Sequence, residues 1–480
     1  MLTQENKSLY NGYNIIKMKE SREMFIGFSV SNFLSFKNPQ TMSMMASKVA
    51  RHKEHILNGN GKKILKTGLI YGANAGGKSN FIKAIDFSRD IILDGLEEVD
   101  LNRKYFRINK EGYRQPGVFE YRLITQSKKE YSYGIAISYA AKEIISEWLV
   151  RIEKNGSETC IFNRDIDESG ENFTFSEVTH KNEAEKIKWE IFLDVFGKNI
   201  SPAMKKKSIL SDVAERSNEK SGVLKEIMDV YEWFQSIIIL FPTSQYSGLN
   251  QLVEKEEVRK FFSGILKYFD TGIESVESKQ GEMNFDRIFE GIPKEHAEKL
   301  KIRISNDIEN DPVMFKVNNQ VYSLRKDEEG NIITTKMMQN HGNPQELFEY
   351  SDESDGTQRL FDLIPLFYEH QNNRVIFIDE IDRSLHTNLT RRFLELFYSL
   401  TEESDCQIIA TTHDSNLLDL DLVRQDEIWF IKRLEDHSSK MYSLNRYKER
   451  YDKKIDKEYL LGRYDAIPIF DEEILEDMND

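Results

Sequence analysis

At 480 residues, the chain has room for two or three domain-sized units or for one domain carrying a large insertion. Hydrophobic residues make up 39% and charged residues 31%, which is a globular composition and not a disordered one. A net charge of −15 excludes the global basic field that advertises nucleic-acid binding, while leaving a local basic groove open.

The longest uninterrupted apolar run, Ile237–Phe241, is far shorter than the roughly 20 residues of a membrane span, so no membrane association is expected. Residues 1–24 mix Lys, Glu, Asn and Tyr without the apolar core of a secretory signal, and are read as an N-terminal extension. The only cysteines, Cys160 and Cys406, exclude a disulfide framework and fit a reducing, cytoplasmic setting.

Residues 25–165 read as a first lobe. Strand-like Phe25–Val30 opens it, and an apolar strand, Leu65–Tyr71, runs into a Gly-rich turn. A helix follows, with Phe81, Ile82, Ile85 and Ile92 on one side, and 118–165 alternates as a β meander. Residues 166–345 read as a mainly helical insertion, clearest in the stripe Val258, Phe261, Phe262, Ile265, Leu266 and Phe269. A hairpin, Val313–Tyr322 and Ile332–Met338, is expected to turn through Glu329-Gly330-Asn331. Residues 346–470 then alternate: helix Thr357–Tyr368, strand Val375–Ile378, helix Leu389–Leu400, strands Gln407–Thr411 and Glu427–Ile431. Such alternation predicts an α/β fold with a parallel sheet covered on both faces. An acidic tail, 471–480, ends the chain.

Gly72-Ala73-Asn74-Ala75-Gly76-Gly77-Lys78-Ser79 matches G-x-x-x-x-G-K-[ST] in full, with an apolar strand before it and a helix after it. Backbone N–H groups of such a turn close around phosphates, and the helix directs its positive end at them. Gly72, Asn74, Gly76, Gly77, Lys78, Ser79 and Asn80 are therefore the expected ATP-binding residues. Lys78 is expected to reach the β- and γ-phosphates and Ser79 to ligate Mg²⁺. The apolar strand Val375–Ile378 delivers Asp379 and Glu380 at its carboxyl end, where open α/β sheets bind ligands. Asp379 is expected to hold Mg²⁺, directly or through water, and Glu380 to polarise the attacking water.

Glu353-Ser354-Asp355-Gly356-Thr357-Gln358-Arg359-Leu360 starts a helix, with Gly356 lying 23 residues before Asp379. Asp382 follows Glu380 closely, and His413 lies 34 residues after Asp379 at the end of a strand. Ser354-Asp355-Gly356 taken alone reads equally as an N-cap and turn, and His413 as a residue before the next helix. In this order the pieces resemble an ABC-type ATPase head, which implies an ABC/SMC-like α/β fold with a helical insertion between P-loop and signature. The resemblance implies that Ser354, Gly356 and Thr357 complete a partner's ATP site in trans. It also puts His413 on the γ-phosphate in cis beside the catalytic Glu380 and Lys78, and Asp382 in a D-loop at a homodimer contact. Asp355 stands where the ABC signature normally has Gly, and Gln115 is the local candidate for the Q-loop.

With Ser31-Asn32-Phe33-Leu34-Ser35-Phe36, Thr411–Leu418 and Tyr459-Leu460-Leu461-Gly462-Arg463-Tyr464-Asp465-Ala466-Ile467-Pro468 added, residues 25 to 470 resemble the AAA15/COG-type ATP-binding family. That family includes RloA-like and AbiL-type abortive-infection ATPases, related in head architecture to SMC, Rad50 and RecF proteins. The resemblance implies a regulatory ATPase of bacterial anti-phage defence acting with a separate nuclease or toxin. The competing expectation is a DNA-maintenance ATPase of RecF or Rad50 style. Asp419-Leu420-Asp421 reads as surface acids of the head and not as a second nuclease centre. No Cys/His cluster has metal-binding spacing.

Overall fold

In the computed structural model of the chain, strands built from alternating apolar residues assemble into four sheets among the described residues. It describes residues 23–468 except 168–169, most of 176–202, 217–221, 243–254, most of 283–312, 318–319, 327–331, 370–373, 448 and 452.

In chain order, β1 (Met24–Ser31) and β2 (Gln40–Ser43) precede a small hairpin of β3 (Ile56–Gly59) and β4 (Lys62–Leu65). Next, β5 (Thr67–Tyr71) leads into α1 (Lys78–Asp94). The meander is β6 (Gly117–Ile124), β7 (Glu130–Ser138), β8 (Glu143–Ile152), β9 (Glu158–Asp167) and β10 (Gly170–Phe175). Helices α2 (Ile209–Arg216) and α3 (Gly222–Ser236), strand β11 (Ile238–Leu240) and α4 (Glu256–Tyr268) follow. Then come β12 (Ser275–Glu282), β13 (Val313–Val317), β14 (Gln320–Lys326), β15 (Ile332–Asn340) and β16 (Phe348–Glu349). The last part holds α5 (Asp355–Leu363), α6 (Pro365–Glu369), β17 (Val375–Ile378), α7 (Thr387–Leu400), β18 (Gln407–Thr411), β19 (Ile428–Arg433), β20 (Ser439–Ser443) and α8 (Ile455–Leu460).

One sheet is an antiparallel ribbon in the order β10-β9-β8-β7-β6-β1-β2; the other large sheet runs β11-β17-β18-β5-β19-β20. In the latter all pairs are parallel except β19 with β20. Period-two alternation divides each central strand between two cores. Val375 and Phe377 of β17, with Ile70 and Ile409, join a core that also holds Phe28, Phe81 and Trp233. Ile376 and Ile378, with Leu69, Ile408 and Phe430, face a second core built on Leu360, Phe361, Phe393 and Phe397. Helices α1 and α7 thus lie on opposite faces, and both faces are buried. Burying one such Phe contributes about 2–3 kcal/mol.

The expected strand Leu65–Tyr71 is interrupted at Lys66, which belongs to neither β4 nor β5. That lysine is buried, and its ammonium donates to the carbonyls of Thr401 and Glu402. The expected single strand Val313–Tyr322 reverses instead: Val317 pairs with Gln320, so β13, β14 and β15 form a three-stranded meander. Asn318-Asn319 is the turn-prone pair between them in sequence. The expected helix Thr357–Tyr368 starts earlier, at Asp355, and is divided at Ile364. Ser354 caps it in extended conformation and Pro365 can only begin a new helix, which sets both limits. The turn Glu329-Gly330-Asn331, nearly all of the extension 1–24 and the tail 471–480 lie outside the described residues. Within 166–345, α2 and α3 pack into the first core, and β11 is the edge strand of the parallel sheet beside β17.

Candidate functional site

Strand β5 is wholly buried, and its carboxyl end opens into the turn Gly72–Gly77 before α1. Ala75 sits at φ +60°, and Gly77 at φ +114°. A Cβ on Gly77 would lie 2.2 Å from the Ser439 hydroxyl oxygen, so both backbone conformation and space demand glycine there. A directional chain of hydrogen bonds braces the turn. Asn80 donates to the Ser35 hydroxyl at 2.8 Å, Ser35 and Ser439 are bonded at 2.7 Å, and Ser439 donates to the Gly76 carbonyl at 2.6 Å. From the other side Tyr459 of α8 presents its hydroxyl to the Gly72 amide. Asn74 stays exposed at the crown of the turn, and Ser79 is half-buried at the first turn of α1.

Lys78 is only 6% exposed, and its ammonium donates to the carbonyls of Gly72 at 2.7 Å and Ala73 at 3.2 Å. Burial pulls its pKa down to about 8, against the carboxylates of Asp379, Asp382 and Glu380, which pull it up. The same three carboxylates act on His413, whose pKa is nevertheless lowered by burial and by Lys78. P-loop, carboxylate strand and His413 are therefore gathered in one electrostatic neighbourhood.

Asp379 is buried and accepts from the Thr411 hydroxyl at 2.7 Å, and that hydroxyl accepts from the Glu380 amide at 2.8 Å. Strand β18, which carries Thr411, lies between the P-loop strand β5 and the Asp379 strand β17. Glu380 occupies the left-handed region at φ +53°, a conformation costing a non-glycine residue about 1–3 kcal/mol. Asp382 accepts from the His413 amide at 3.1 Å and so ties the turn after β17 to the end of β18. The His413 ring remains open to solvent on one side.

Ser354, Gly356 and Thr357 stand elsewhere. Ser354 is exposed and accepts from the Thr357 amide at 3.2 Å, capping α5. A Cβ on Gly356 would lie 2.8 Å from the Ser384 carbonyl, so the start of α5 rests directly on the turn that carries Asp382. Among the described residues no hydrogen bond or ion pair links these three to the P-loop. Asp355 is exposed.

Sequence reasoning assigned no role to Thr411, Ser35, Ser439 or Arg359. Arg359 is 4% exposed and donates to the Glu380 carbonyl at 3.3 Å, coupling α5 to the carboxylate turn, while its Nε and Nη1 make no hydrogen bond. Ser35 and Thr411 stand inside stretches that carried the resemblance. Ser439 had no signal, because its partner in the brace lies 404 residues away. Gln115 is exposed at the start of β6, where its carbonyl accepts from Asn32. Asp419 and Asp421 pair with Arg391 and Arg51 on the surface.

A parallel sheet with a P-loop on one strand, buried Asp379 two strands away and a helix-capping Ser-x-Gly element define a P-loop ATPase head of the ABC type. Its sequence matches the model of the family described as "AAA domain, putative AbiEii toxin, Type IV TA system" over residues 69–190 and 240–419, and the chain belongs to that family. No curated protein matches it. Among solved structures it is similar to an SMC head domain from Thermotoga maritima at 12% identity, over 87% of this chain and 98% of that one, with a TM-score of 0.35. It is also similar to the recombination mediator RecF with ATP at 14% identity, over 88% and 98% of the two chains, with a TM-score of 0.32. Scores this low carry no argument about function. No described helix is long and apolar enough to cross a membrane.

Proposed function

We propose that the chain is an ATP hydrolase that acts as an ATP-dependent homodimer, with Glu380 as the group that activates water. The observation that carries this reading is the buried Lys78 ammonium, seated on the Gly72 and Ala73 carbonyls in the field of Asp379, Glu380 and Asp382. A buried cation with a depressed pKa gains from the arrival of polyphosphate, which restores its charge. Gly72, Asn74, Gly76, Gly77, Ser79 and Asn80 line the phosphate path. A cavity of about 280 Å³ beside Asn80, lined by Leu34, Ser35, Phe106, Arg107 and His437, offers room at the nucleoside end.

Ser79 and Asp379 supply the hard oxygen donors that suit Mg²⁺, and these two residues would hold it. When bound, Mg²⁺ neutralises charge on the phosphates. His413 is neutral at pH 7 by the direction of its shift, and serves as a hydrogen-bonding group in cis. The exposed Ser354, with Gly356 and Thr357, supports completion of the site by a second copy, whose D-loop Asp382 would lie at the contact.

Within that reading we place the protein as the regulatory ATPase of a bacterial anti-phage, abortive-infection-like system of RloA or AbiL kind, with its nuclease or toxin on a separate protein. Support comes from the family description, which names a toxin and a toxin–antitoxin system. The test is steady-state Mg-ATP hydrolysis by the purified protein, with and without duplex DNA, using Lys78→Ala as the blank. Hydrolysis indifferent to DNA is expected. A severalfold rise with DNA moves the assignment to DNA maintenance, and no Lys78-dependent hydrolysis overturns the enzyme reading.

A further inference from the structure

We propose that the turn His52–His55 is a binding site for one divalent transition-metal ion of the zinc class, separate from the nucleotide site. Ligand atoms of His52, Glu54 and His55 all lie within 4.8 Å of one another. The sequence spacing hid this cluster, because the three residues converge only through a one-turn 3₁₀ segment between β2 and β3.

The outward-facing ring nitrogens decide the argument. His52 Nε2 lies 3.0 Å from the Leu420 carbonyl, which can only accept, so Nε2 carries the proton. His55 Nδ1 lies 3.1 Å from the Glu427 carboxylate, which likewise accepts. That leaves His52 Nδ1 and His55 Nε2 as the ring nitrogens on the ligand side. They stand 3.3 Å and 4.0 Å from the same Glu54 oxygen. An ion bound here would replace the His52–Glu54 hydrogen bond and be held by two ring nitrogens and a carboxylate oxygen that already lie together beside the stacked His52 and His55 rings. A carbonyl or carboxylate on the far nitrogen of each ligating histidine is the usual outer shell of such a site.

The shell is rigid where it needs to be. His52 is held in the left-handed region at φ +49°. The buried Arg424 guanidinium fixes its loop by donating to the carbonyls of Val49, Arg51 and His52 at 3.3, 2.6 and 3.4 Å. His55 is stacked on Tyr398 with ring centroids 3.6 Å apart, and Glu427 is fully buried. Glu54 is exposed and can move from its His52 contact to close on an ion at the roughly 2.0–2.2 Å of zinc bonds, leaving a fourth position to solvent. The Lys66 amide donates to the His55 carbonyl at 2.9 Å, so the turn sits at the amino end of β5. The P-loop opens from the other end, about 17 Å away along the strand. Two nitrogen ligands also favour zinc, cobalt or nickel over Mg²⁺.

The test uses untagged full-length protein stripped with chelator and titrated with Co²⁺ in millimolar Mg²⁺ without nucleotide. One equivalent of Co²⁺ with visible d–d absorption is expected, displaced by Zn²⁺. Affinity should fall at least tenfold in H52A and, independently, in E54Q, which alters an exposed side chain, both checked for folding by circular dichroism. Uptake below one equivalent in the wild type, or unchanged affinity in both variants, overturns the proposal and leaves a hydrogen-bonded His–Glu cluster.

Discussion

The two halves of the proposed nucleotide machinery are built to different standards. Around the P-loop the turn and the carboxylates are braced from several elements: Ser35 and Ser439, from two distant parts of the chain, join Asn80 of α1 in tying the turn, and Thr411 holds both Asp379 and the Glu380 backbone. At the start of α5, by contrast, Ser354 and Asp355 are exposed and the Ser354 hydroxyl bonds to Thr357 of its own helix. Yet that loose end is anchored underneath, through Gly356 against Ser384 and Arg359 to the Glu380 carbonyl. The difference teaches that the P-loop half is held from within the chain, while the start of α5 is an exposed surface resting on the carboxylate turn. A partner touching Ser354 would press on the segment that aims Glu380, and ATP shifts a dimer only through such differential contact.

The largest expected effect breaks the braced half. Lys78→Ala removes charge-assisted contacts worth about 1.5–3 kcal/mol each, so ATP affinity should fall on the order of a hundredfold, measured by calorimetry. Unchanged affinity would mean that the turn binds without its cation, and the proposed site fails. Next, Glu380→Gln should keep ATP affinity, lower kcat by on the order of a hundredfold or more, and accumulate an ATP-bound dimer seen by light scattering. Wild-type turnover in that variant refutes the base assignment. Ser354→Asp sharpens the other half. Asp caps a helix as well as Ser does, so thermal stability should stay within about 0.5 kcal/mol. A carboxylate facing a partner's γ-phosphate should nevertheless prevent the dimer. Dimerisation that survives the change removes Ser354 from the contact.

How much of this was legible in sequence follows the same divide. Gly72–Ser79 and Val375–Glu380 are contiguous, and their chemistry depends on a strand, a turn and a helix start that each few residues encode locally. The parallel sheet was legible for the same reason. Long-range braces were not: nothing local marks Ser439 as the partner of Gly76, or β11 as the edge strand beside β17. Lys66 looked like one more residue of an apolar strand, because its burial against two carbonyls depends on α7 lying above it. The His52–Glu54–His55 turn escaped a search for spaced ligands because backbone curvature, and not helical or strand periodicity, brings them together.

The smallest effect reads the braced half most directly. With its pKa near 8 against an ordinary 10.5, Lys78 is a buried cation whose cost is fully present below pH 8. As pH rises from 8 to 10.5 the unfolded chain holds this proton and the folded chain releases it, so this residue makes the nucleotide-free protein gain stability across that window. Polyphosphate arriving at the ammonium reverses the shift. Binding ATP at pH 8 should therefore take up about half a proton, and affinity should weaken as pH climbs above 8. Calorimetry in two buffers of different ionisation enthalpy reads that proton, with Lys78→Met as the reference. Uptake equal in both proteins would assign the proton to another group, and would detach the depressed pKa of Lys78 from phosphate binding.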